Sequence, residues 1–112
     1  MAYDEELAER IREVVAGEDA LSEQQMFGGL AFLVGGQMAV AASSKGGLMV
    51  RVDPEESAAL EDGDGVEPMV MRGREMHGWL RVAADSVQDD AALESWVRRG
   101  VAYVRSLPPR GG

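Results

Sequence analysis

The sequence predicts an α+β two-layer domain: a five-stranded antiparallel sheet roofed by helices, in the order α-βββ-α-ββ-α. Two observations carry this reading. Residues 25–52 hold three runs of alternating apolar residues separated by glycine pairs, with no carboxylate among them. Helical spacing appears at both ends of the chain, and the strands come in runs instead of alternating singly with helices, which favours antiparallel pairing with helices packed on the sheet.

Asp4 is placed to cap a first helix, with Glu5 and Glu6 in its first turn where acids favour the positive end of the dipole. Leu7, Ile11, Val14 and Val15 follow at helical spacing, and Gly17 is placed to end the helix. Residues 18–23 read as a connector. Met26-Phe27-Gly28-Gly29 then reads as opening a strand, not as joining two, with Leu30, Phe32 and Val34 on one face and Ala31 and Leu33 on the other. Gly35-Gly36 supplies the positive φ angles of a two-residue hairpin turn. Met38, Val40 and Ala42 alternate with Gln37, Ala39 and Ala41 in the second strand, and Leu48, Val50 and Val52 with Met49 and Arg51 in the third.

A short second helix starts at Asp53-Pro54-Glu55-Glu56, where Asp53 caps, Pro54 takes the first helical position and Glu56 stands at capping-box spacing. It ends near Leu60, before Glu61-Asp62-Gly63-Asp64-Gly65. Val66 to Met71 is a strand whose Pro68 assigns it to an edge or a bulge. Arg72-Gly73-Arg74-Glu75 reads as a turn, with His77 still in it, and Gly78 to Val82 as the last strand. Asp89 and Asp90 cap a final helix with Leu93, Trp96, Val97, Gly100, Val104 and Leu107 on one face, stopped by Pro108-Pro109. Residues 1–109 form one domain by this reading, and residues 110–112 a flexible tail.

The 112 residues suffice for one core and not two. No apolar run approaches the roughly 18 residues of a spanning helix, and the acidic N-terminus lacks the regions of a signal peptide, so the expected location is cytoplasmic. The net charge of −9 is uneven: residues 1–23 carry eight acids and two bases, and residues 53–68 seven acids and no base. A pI near 4.5 disfavours nonspecific duplex binding, which relies on neutralising many phosphates.

Three motifs together resemble one family. They are Met26-Phe27-Gly28-Gly29 after an amphipathic helix, Leu48-Met49-Val50-Arg51-Val52 leading into a short acidic helix, and Gly73-Arg74-Glu75-Met76-His77-Gly78-Trp79 ahead of the last helix. The chain resembles the TfoX/Sxy N-terminal domain family of bacterial competence regulators, over about residues 3–109. The resemblance implies a five-stranded antiparallel sheet similar to secretion-chaperone-like folds. It brings no catalytic residues with it, and longer members carry a second, helical domain of DNA-binding character.

The reactive inventory is short. His77 is the single histidine and there is no cysteine, so neither a nucleophile-base set nor a zinc site can be assembled from familiar spacings. Asp62-Gly63-Asp64-Gly65 lacks the later ligands of a calcium loop. Gly28-Gly29 and Gly46-Gly47 match no phosphate-binding fingerprint. The expectation is therefore a non-enzymatic regulatory or interaction domain without cofactor or metal. Its candidate surface is the sheet face bearing Met49, Arg51, Met69, Met71, Trp79 and Arg81, together with Arg72 and Arg74 of the turn, since methionine, tryptophan and arginine favour association surfaces. The expected partners are an unidentified protein and a second copy in a homodimer, with no membrane. The alternative is a nucleic-acid-associated regulator using Arg51, Arg72, Arg74 and Arg81 as a small basic strip.

Overall fold

The computed structural model describes residues 4–26, 29–43, 46–60, 65–71 and 73–107. Helix α1 (Glu5–Val15) begins as its sequence requires: the Asp4 carboxylate accepts from the N–H groups of Glu6 and Leu7. Leu7, Ala8, Ile11 and Val15 are buried on one face. The helix ends ahead of Gly17, and the left-handed residue in the turn that follows is Ala20, at φ 59°.

The sheet has six strands among the described residues, not five. They are β1 (Leu21–Met26), β2 (Gly29–Val34), β3 (Gln37–Ala42), β4 (Leu48–Arg51), β5 (Val66–Met71) and β6 (Arg74–Val82), in the spatial order β1-β2-β3-β4-β6-β5. All neighbours are antiparallel. The element order is thus α-ββββ-α-ββ-α. The additional strand is β1, whose Leu21-Ser22-Glu23-Gln24-Gln25-Met26 shows no apolar alternation because it is an edge strand, solvated along much of its length. Its pairing of Met26 with Gly29 also corrects the reading of Met26-Phe27-Gly28-Gly29: this segment joins two strands. Gly35 and Gly36, at φ 61° and 84°, make the expected turn between β2 and β3.

Helix α2 (Pro54–Leu60) follows β4, with the Asp53 carboxylate accepting from the Glu55 N–H at 2.9 Å. The Asp62-Gly63-Asp64 segment lies outside the described residues. Strand β5 takes the sheet edge, as Pro68 requires. Its register with β6 slips from Pro68 opposite Leu80 to Met69 opposite Met76, leaving residues 77–79 without a β5 partner. Strand β6 is longer than its sequence suggests because this slip interrupts the alternation. His77 therefore lies within a strand and not in a turn. A 3-10 turn (Ala84–Val87) leads into α3 (Asp90–Arg105), where Asp89 is the N-cap by backbone geometry without a side-chain bond.

The helices share one face of the sheet. Leu7 and Ile11 of α1 and Leu93, Val97, Val101 and Val104 of α3 join Leu30, Phe32, Val34, Val40, Leu48, Val50, Leu80 and Val82 in a single core, and Leu60 of α2 packs against it. Burying each large aliphatic side chain contributes roughly 1.5–3 kcal/mol, so this face holds the fold together. A register shift between Phe32 and Leu33 leaves Ala39 as the extra residue of a β-bulge. The bulge turns Ala39 into the core beside Val40, and helix α3 crosses there at Gly100. Ion pairs fasten the helices at the rim. Arg10 donates to the Asp90 carboxylate and to the Val87 and Gln88 carbonyls, and Arg105 donates to Glu18.

Candidate interaction surface

Strand alternation and the cross-strand register fix what the other face carries. One row runs Gln24, Ala31, Ala41, Met49, Arg81 and Glu67 from one edge to the other. A second row holds Leu33, Met38, and the Arg51–Trp79 pair. Leu33, Met38, Met49, Trp79 and Arg81 are half-buried, while the buried residues of α1 and α3 and Leu60 of α2 pack with the strand residues of the opposite side. Ala31 and Ala41 are recessed, at 1% and 4% exposure, in the middle of the row.

The placement of Met38 corrects the expectation from alternation. Its sequence pattern groups it with Val40 and Ala42 on the core side, but the extra residue at Ala39 reverses the phase and sets Met38 opposite Leu33. The open face is richer in apolar side chains as a result.

Four of the sequence-derived candidates come together. Met49 lies opposite Arg81 and Arg51 opposite Trp79 across the β4–β6 seam. Met69 follows Glu67 at alternating spacing on β5, although the slip pairs it with Met76 and not with the β6 residues nearer the seam. Arg74 is exposed at the start of β6, opposite Met71 at the hairpin end and away from the others. Arg72 and the side chain of Met71 lie outside the described residues.

Arg51 has a role that no local pattern announces. It is the last residue of β4, and its guanidinium carbon lies 5.5 Å from the Trp79 ring centroid and 5.7 Å from that of Tyr103 on α3. Gln37 Oε1 accepts from it at 3.4 Å. Both ring distances are within cation–π range, worth about 0.5–1 kcal/mol each at partly exposed sites. The Arg51 head group thus bridges Trp79 of β6 and Tyr103 of α3. Arg81, by contrast, has Met49 on one side and Glu67 on the other. Ala31, Leu33, Met38, Gln37 and Tyr103 are the participants that sequence reasoning did not single out. The alternation of Ala31 and Leu33 against Phe32 was the available signal for the first two.

Titration behaviour points away from this face. The Glu23 carboxyl on β1 is held below the usual carboxylate range by hydrogen bonds from Arg12 of α1, which outweigh its partial desolvation. Asp53, Glu56, Arg99 and Tyr103 line an open groove between α2 and α3, where Arg99 pairs with Glu56 at 3.5 Å.

The fold and the surface together define a class: a small α+β domain with one helical layer and one open, partly apolar sheet face. Residues 13–103 match the TfoX N-terminal domain, and the chain belongs to that family. No curated protein and no solved structure matches it. No helix among the described residues is long and apolar enough to cross a membrane.

Proposed function

We propose that this chain is a competence-regulator-like domain of the cytoplasm that acts by binding, not by catalysis, and that it takes a protein partner on the open sheet face. The observation that carries the reading is the set of half-buried Leu33, Met38, Met49 and Trp79, flanked by Arg81, on the sheet face opposite the helical core. Apolar groups in such a position gain by further burial at roughly 25 cal/mol per Å², and methionines adapt to the shape they meet. Family membership supports the regulatory part of the proposal. Self-association as a homodimer belongs to the same proposal.

The experiment is affinity capture from native cell extract with the wild-type domain and with Met49→Glu, whose fold is checked by circular dichroism. A protein held by the wild type and lost with the folded variant supports the face as the binding site. Equal capture by both removes it, and turnover of a substrate by the purified domain would end the non-enzymatic reading. The nucleic-acid alternative has less behind it, because Arg51 is already engaged by the Trp79 and Tyr103 rings and Glu67 stands opposite Arg81. Salt-sensitive binding of DNA or RNA weakened by Arg74→Ala would restore it.

A further inference from the structure

The two edges of the sheet differ in a way that bears on self-association. At β5 the edge carries Pro68 and the register slip against β6, and both devices discourage a further strand. Strand β1 carries neither. Its Ser22, Glu23, Gln24 and Gln25 are exposed, and the charge of Glu23 is already matched by Arg12.

The hydrogen-bonding phase of β1 is fixed by its neighbour. Gly35 donates its N–H to the Ala20 carbonyl at 3.1 Å, and with the register Leu21–Val34 to Met26–Gly29 the even-numbered residues of β1 exchange bonds with β2. The N–H and C=O groups of Leu21, Glu23 and Gln25 therefore point outward from the sheet edge. Among the described residues none of these outward groups has a backbone partner.

We propose that this edge pairs with the same edge of a second copy of the chain, antiparallel about a twofold axis at Gln24. This locates the self-association proposed above and rests on it. In this register Glu23 exchanges bonds with Gln25 of the other copy and Ser22 faces Met26, so no like charges meet. Centring the axis on Glu23 instead would set two carboxylates directly opposite each other, which is destabilising. The Gln24 side chain is on the open-face side, level with Ala31, and the two Gln24 amides meet there as a non-hydrogen-bonded pair able to bond to each other. The product is a continuous sheet from one β5 edge to the other, with the two open faces side by side.

The absence of cysteine makes the test direct. A non-hydrogen-bonded antiparallel pair has its Cα atoms about 4.5 Å apart, within the range a disulfide spans. Gln24→Cys should oxidise to a covalent dimer, whereas Ser22→Cys should not, because its copies are displaced by about 13 Å along the strands. Gln24→Lys and Gln24→Glu should each weaken self-association about tenfold as separate proteins and regain it when mixed. Light scattering on the wild type separates the two levels of the argument. A 12.0 kDa species from micromolar to millimolar concentration overturns dimerisation altogether. A dimer in which Gln24→Cys cross-links no faster than Ser22→Cys, or in which the mixed charge variants fail to recover, overturns this edge as its location.

Discussion

Replacing Gly100 by alanine tests the contact on which the two layers close. A Cβ at this position would stand 2.7 Å from the Ala39 carbonyl oxygen, 3.1 Å from Val40 Cγ1 and 3.3 Å from Val50 Cγ1. Ordinary van der Waals contact begins near 3.4 Å, so α3 must move off the sheet by about 0.7 Å, or the bulge must flatten. Neither is easy, because Leu93, Val97, Val101 and Val104 are packed on the same strands. Helix propensity favours alanine by about 1 kcal/mol, and overpacking a filled core costs about 2–3 kcal/mol. The expected net effect is a loss of about 1–2 kcal/mol, or about 5–10 °C in Tm for a domain near this size. Urea unfolding followed by the fluorescence of Trp79 and Trp96 measures it. Gly17→Ala is the control, since a Cβ there meets nothing within 4 Å and the backbone is not left-handed; it should gain about 0.4–1 kcal/mol. A Gly100→Ala protein as stable as the wild type would refute the bulge-to-helix contact as described.

Three further outcomes are expected. Ser57 of α2 is 1% exposed and its hydroxyl has no hydrogen-bond partner among the described residues, so Ser57→Ala should raise the urea midpoint, by about 1 kcal/mol in stability; a lowered midpoint would reveal a bond to that hydroxyl. Ala20→Gly should stabilise by about 0.5–1 kcal/mol, because the left-handed φ of 59° strains an L-residue, and unchanged thermal unfolding would count against that strain. The Glu23 carboxyl is more acidic folded than unfolded, so its contribution is complete above the unfolded carboxylate range near about 4.3 and is lost as pH falls through the folded value. Arg12→Gln should therefore flatten the loss of stability as pH falls below the ordinary glutamate range, and coincident pH profiles for variant and wild type would dismiss the pair.

Local chemistry made most of the fold legible. Asp4 and Asp53 cap the helices that their positions announce, Gly35-Gly36 turns the hairpin, and Pro68 marks an edge. Strand β1 escaped because an edge strand needs only half a sheet's environment, so its polar residues give no period-two signal. The Ala39 bulge escaped for a different reason: a one-residue insertion leaves the composition of a strand unchanged and reverses only its phase, which moved Met38 to the other face. Pairing of Met49 with Arg81 and of Arg51 with Trp79 depends on β6 lying beside β4, and the approach of Tyr103 to Arg51 on where α3 comes to rest, neither of which a local pattern carries. Val101 was likewise absent from the expected helix face, yet it is buried at 6%.

The last helix lies mainly on strands from the first half of the chain, touching β2, β3 and β4 and leaning on α1. During synthesis, Phe32, Val40 and Val50 must therefore wait for residues 90–105 to leave the ribosome before their oily side is shielded. A nascent chain paused after β6 has only α1 and α2 to lay on that side, so the ground that α3 takes stays open to water until the last helix docks.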